Sequence, residues 1–146
     1  MRSLTLRRAL LSIVLVVTLG ACGCPVTKVR QAAARTKRMN TLKVIGLAYI
    51  SYIDDNKGKL PAQAADLQKY TAGDPDASAA LTDGSVTLIY GVTMKDMAKQ
   101  GPGNVVLGYD TQFDKDNVIV LMGDGSVKLV TPEEFKTMPQ AAPEKK

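Results

Sequence analysis

From Lys28 to about Asp54 the apolar residues recur every three or four positions, and Met39, Leu42, Ile45, Tyr49, Tyr52 and Ile53 fall on one face. That spacing predicts a long amphipathic helix. Val29, Ala32, Ala33 and Thr36 precede the stripe as a weakly apolar stem, while Arg30, Arg35, Lys37, Arg38 and Lys43 crowd the same half. Gly46 interrupts the stripe at a cost of about 1 kcal/mol relative to alanine, and its simplest use is the close approach of a neighbouring element. Asp54-Asp55-Asn56-Lys57-Gly58 supplies a stop, and Leu60-Pro61 leads into a new segment.

A short second helix is predicted from about Ala62 to Tyr70. Thr71 to Ala80, rich in Gly, Asp, Pro and Ala, reads as an exposed loop. Beyond it the period changes to that of strands, at Ser85–Val92, Asn104–Tyr109, Val118–Met122 and Ser126–Val130. Gly123-Asp124-Gly125-Ser126 between the last two is a hairpin signal. Thr131-Pro132-Glu133-Glu134 places a cap, a proline at the first helical position and acids in the first turn, which predicts a helix to about Met138. The pattern gives an α+β fold, one long helix across a small antiparallel sheet. Leu81-Thr82-Asp83-Gly84-Ser85-Val86 echoes Met122-Gly123-Asp124-Gly125-Ser126-Val127, and two similar turn-to-strand signals account for the echo without duplication.

The first 21 residues follow a different rule. Arg2, Arg7 and Arg8 precede an uncharged apolar run, Ala9 to Leu19, and then the small residues Gly20 and Ala21. This is the pattern of a signal peptide, and the run is short of the roughly 20 apolar residues a permanent spanning helix needs. Leu19-Gly20-Ala21-Cys22 resembles the bacterial lipoprotein processing box, which implies acylation of Cys22 by a diacylglycerol with palmitate-class chains before the signal is cut away. Ordinary secretion and a retained helical anchor are the alternatives. Acylation would hold the chain to a membrane outside the cytoplasm at about 0.8 kcal/mol per buried CH₂. Gly23 after Cys22 lacks the aspartate that retains some lipoproteins at the inner membrane, which favours the outer membrane. Cys24 then reads as part of a flexible tether, with a second acylation or an intermolecular pairing site as the alternatives, and no disulfide is expected within the folded domain.

Composition narrows the chemistry. The 146 residues carry a formal charge of +5. Without Arg2, Arg7 and Arg8, 16 basic side chains face 14 acidic ones, too even a balance to predict a nucleic-acid partner. The absence of histidine excludes imidazole-ligated zinc and imidazole-based triads. Ser51, Ser78, Ser85 and Ser126 therefore lack an imidazole base, and Lys59 has no sequence context that would activate it as a nucleophile. Asp54 and Asp55, like Glu133 and Glu134, are neighbours in sequence and point apart, so no acid–base pair is predicted and the chain reads as noncatalytic. Tyr49, Tyr52, Tyr70, Tyr90 and Tyr109 could form a binding surface, but with only Phe113 and Phe135 besides them they read as most of the aromatic core. The basic stem could lie on anionic headgroups or be a solvated face.

Met39-Asn40-Thr41-Leu42-Lys43-Val44-Ile45-Gly46-Leu47-Ala48, then Tyr52 and Asn56-Lys57-Gly58-Lys59-Leu60-Pro61, resembles the end of the long helix and the following turn in type II secretion pseudopilins and the related prepilin-like proteins of planctomycete-type bacteria. Asn117 to Lys128 resembles their final hairpin. The resemblance implies a pseudopilin-like head on a helical stem. The chain lacks the Gly-Phe-Thr-Leu-x-Glu pattern that starts the filament-forming helix of that family, and Cys22 would replace that helix as the anchor. Some pseudopilin heads bind calcium near the C-terminus, and here Asp110, Asp114, Asp116 and Asn117 offer oxygen ligands within eight residues. They do not match an EF-hand and equally suit a plain turn. The expected organisation is a signal peptide at 1–21, a lipidated tether at 22–28, a pseudopilin-like domain at 29–138 and a polar tail at 139–146. Three functions are in view: a noncatalytic lipid-anchored envelope protein making protein–protein contacts, a minor component or regulator of a secretion pseudopilus, and a calcium-binding extracytoplasmic module.

Overall fold

The computed structural model describes residues 26–112 and 116–142, and Cys22 and Cys24 lie outside them. The chain divides after Ala34 into two units. In the first, residues 28–34 are helical and every one of them is exposed. The second, from Arg35 onward, holds all the residues that are buried among those described, which run from Leu42 to Ala141. One helix, α1 (Val26–Asp55, 30 residues), crosses the division.

Alpha-1 carries its charges against its own dipole. Its first turn has no acid and its last turn no base, while Lys28 opens it and Asp54 and Asp55 close it. A helix N-terminus favours anions and a C-terminus cations, by about 0.3–1 kcal/mol each. The helix therefore depends on packing from Leu42 onward. Leu42, Ile45, Ala48 and Tyr49 are buried there, and Met39, Tyr52 and Ile53 pack partly against them, as the stripe predicts. Gly46 serves the close approach expected of it: a Cβ there would stand 2.7 Å from Leu121 Cδ1. The helix lies so close to the sheet that alanine's propensity advantage would be offset by overlap.

The remaining elements are α2 (Ala64–Thr71), α3 (Pro75–Thr82), β1 (Val86–Leu88), α4 (Met94–Ala98), a 3₁₀ turn (Pro102–Asn104), β2 (Val106–Asp110), β3 (Val118–Met122), β4 (Val127–Val130) and α5 (Pro132–Thr137). The four strands form an antiparallel sheet in the order β1-β2-β3-β4. The fold is thus α+β, a long N-terminal helix packed on a small antiparallel sheet. Leu107, Ile119 and Leu121 meet α1, α2 and α3 on one face. Val106, Val118, Val120 and Met122 form a smaller cluster on the other, covered by Phe135 of α5 and by Met138, with Tyr109 and Phe135 edge to face at 5.0 Å. Two buried faces explain why β3 reads as an unbroken apolar run rather than an alternation.

Three expectations change. The loop expected over Thr71–Ala80 contains α3: Asp74 caps it by accepting the Ala77 N–H at 3.0 Å, Pro75 starts it, and Ala77, Ala80 and Leu81 are buried. The strand expected to reach Val92 ends at Leu88, and Thr93 then caps α4 through a reciprocal box with Asp96, seating Met97 in the core. The polar tail is not free over its first part. Beta-1 pairs β2 only from Gly108 to Asp110, so Val106 pairs instead with the C-terminal segment, donating to Pro139 C=O and accepting from the Ala141 N–H, both at 2.8 Å. Ala141 is buried by this docking.

Candidate functional site

A cleft of about 300 Å³ opens between α1, α3 and the ends of β1 and β2. The heptad-like stripe puts Arg38 on the face of Leu42 and Ile45, so a guanidinium occupies the last position before the core. It finds Asp110 at the end of β2, with Arg38 Nε 3.4 Å from Asp110 Oδ2, and Arg38 Nη1 also donates to the Gln112 carbonyl. Asp110 Oδ1 accepts the Gln112 N–H at 2.7 Å. The carboxylate side chain is 5% exposed and the arginine 25%. This ion pair, with its carboxylate buried, ties the helix to the sheet. At the rim Lys37 Nζ meets Asp76 at 2.9 Å, a pair with more than half of each side chain in solvent, and it contributes little to stability.

Asp83 and Asp124 turn the chain in the same way. Each carboxylate accepts the N–H of the serine two residues on, at 2.8 Å for Ser85 and 2.9 Å for Ser126. The glycine between sits at a φ of +78° in one case and +80° in the other. Hydrogen bonds from the serine hydroxyl and then the N–H hold both carboxyls below the usual aspartate range. The sequence echo is therefore an echo of turn chemistry.

Of the four oxygen-bearing residues considered for calcium, Asp110 is committed to Arg38 and Gln112, Asp116 is exposed, Asn117 is half-buried and Asp114 lies outside the described residues. A cation at Asp110 would compete with a guanidinium already in place. Among the described residues no three His, Cys, Asp or Glu side chains gather into a metal-binding group. The sequence reading missed the Arg38–Asp110 pair. Its signal was a base at the i−4 position from Leu42 on the core stripe.

The other surface suited to interaction is the free edge of β4. Met122 donates to the Ser126 carbonyl and Gly125 to the Met122 carbonyl, and this hairpin phase turns the backbone groups of Val127 and Leu129 outward. Leu129 is partly exposed beside that edge. Lys128, the kind of residue that commonly guards an edge, donates its ammonium to Gly103 C=O at 2.7 Å.

Comparison of the chain with protein-family models, with curated proteins and with solved structures finds no match in any of the three.

Proposed function

We propose that this chain is a noncatalytic, lipid-anchored protein of the cell envelope, held to a membrane through Cys22 and using a pseudopilin-like domain for contacts with other proteins. The supporting observation is the spacing between anchor and core. The first buried residue of α1, Leu42, stands 20 positions after Cys22, and the helical residues 28–34 before it are all exposed. Apolar burial is what normally fixes such a helix, so an exposed, basic helical segment beside an acylation box serves as a spacer between a membrane and a folded body. Among the described residues no helix is long and apolar enough to cross a membrane. The outward-facing edge of β4, with Leu129 beside it, fits an extended segment of a partner protein.

Fractionation of cells expressing the full chain tests this reading. The wild type is expected in the membrane fraction and resistant to extraction by high salt. The Cys22→Ser chain should be left uncleaved at the signal or released from tight membrane association. Equal distribution and identical processing of the two would rule out Cys22 as the anchor.

A further inference from the structure

We infer that the start of α1, Lys28-Val29-Arg30, is a membrane-surface contact that seats this end of the helix on anionic phospholipid headgroups. The inference rests on the anchored reading for its setting and adds the chemistry of the surface. Charge is strongly segregated along the chain. From Cys22 to Ile53 there are six bases (Lys28, Arg30, Arg35, Lys37, Arg38 and Lys43) and no acid, whereas from Asp54 onward all 14 acids face 10 bases. Lys37 and Arg38 are engaged by Asp76 and Asp110. Lys28 and Arg30 are exposed, and between them Val29, at 66% exposure, is the most exposed large hydrophobic residue among those described. Two bases around an accessible aliphatic side chain suit a headgroup layer, where the ammonium and guanidinium meet phosphates and the valine meets the acyl boundary.

The helix dipole adds to this. Lys28 in the first turn opposes it, so in water it weakens an end of the helix whose residues 28–34 are all exposed. An anionic surface reverses that sign. Phosphates neutralise the bases and lie where the unpaired N–H groups of the first turn favour negative charge. The anchor at Cys22, six residues before Lys28, brings such a surface within reach. An acidic protein face would satisfy the charges but gives Val29 no reason to be apolar.

The probe is the unacylated chain starting at residue 22, with Cys22→Ser, which keeps every buried residue from Leu42 to Ala141. It should sediment with vesicles containing about 30% phosphatidylglycerol in phosphatidylcholine, not with phosphatidylcholine alone, and gain helicity by circular dichroism when bound. Binding should fall steeply between about 50 and about 500 mM salt. The double variant Lys28→Glu/Arg30→Glu should lower partitioning at least about 20-fold, with an unchanged thermal midpoint. Lys57→Glu/Lys59→Glu, in the turn after α1, should leave it nearly unchanged. Equal binding to neutral vesicles, no binding at all, or loss with the Lys57/Lys59 variant instead would overturn the inference. Salt-sensitive self-association in the absence of vesicles would assign the basic segment to the acidic part of a second copy and overturn it too. Because the probe carries no acyl chain, none of these results bears on whether Cys22 is modified.

Discussion

Replacing Arg38 by methionine is expected to lower the stability of the folded chain by about 3 kcal/mol, far more than any surface charge change should. The substitution keeps the apolar stem of the side chain but removes the guanidinium from beside the Asp110 carboxylate, which is only 5% exposed. Asp110→Leu should cost a similar amount, because it leaves the guanidinium in a cleft and removes the acceptor that fixes Gln112. Arg38→Met/Asp110→Leu together should cost less than either change alone, since an ion pair out of water repays its desolvation only while both partners are present. Urea unfolding of the four proteins gives the cycle. Strict additivity would mean that the two charges do not depend on one another, and the cleft would lose its role in fastening α1 to β2.

Tyr49→Ala should be as damaging, at about 4 kcal/mol. Tyr49 leads the fully buried side chains by volume and sits at the centre of the α1 face. Its hydroxyl donates to the Val92 carbonyl at 3.1 Å, in the segment that turns from β1 into α4. Tyr49→Phe should therefore cost only about 1 kcal/mol, the expense of leaving one buried carbonyl without its donor. The two variants separate ring burial from the hydrogen bond, and thermal unfolding of both reads the split. Burial, partly opposed by the Val92 hydrogen bond, raises the phenol's pKa. A raised folded-state pKa means that this stability is fully present below the ordinary tyrosine range, about 10, and is lost as pH rises through the folded value. Tyr49→Phe should remove that alkaline component, and an unchanged alkaline limb in the variant would count against the buried hydroxyl.

Periodicity reads well where one face of an element is buried, and α1 shows it. Met39, Leu42, Ile45 and Tyr49 declare the packed half, and the same helix without that stripe, at residues 28–34, is exposed. Gly46 was legible because only a close neighbour justifies a glycine there, although the identity of that neighbour, Leu121, depends on a contact 75 positions away along the chain. Short helices were harder. Alpha-3 and α4 are written mainly in capping chemistry, Asp74-Pro75 and Thr93 with Asp96, and the small residues Ala77 and Ala80 that pack α3 look like loop composition. The docking of Pro139–Ala141 could not be read locally at all, because it answers an unpaired stretch of β2 left by the shortness of β1.

The candidate site divides along the same line. Cys22 is a local motif and needs no fold to be seen. The oxygen-bearing residues Asp110, Asp116 and Asn117 were legible as a cluster in sequence, whereas the partner that occupies Asp110 comes from Arg38, across the fold. Counting ligands along a chain misses a counter-charge supplied by another element, and that is why a calcium reading and an ion pair look alike until the helix is laid on the sheet. The basic segment was visible as composition, but its exposure and its opposition to the helix dipole belong to the folded α1.

The mass of the mature N-terminal peptide, taken from membrane fractions beside a Cys22→Ser control, tests the central claim most directly. A peptide beginning at Cys22 and carrying two or three acyl chains, absent from the control, is the predicted result. An unmodified peptide beginning at another residue would contradict the anchor and return the chain to secreted or membrane-spanning readings.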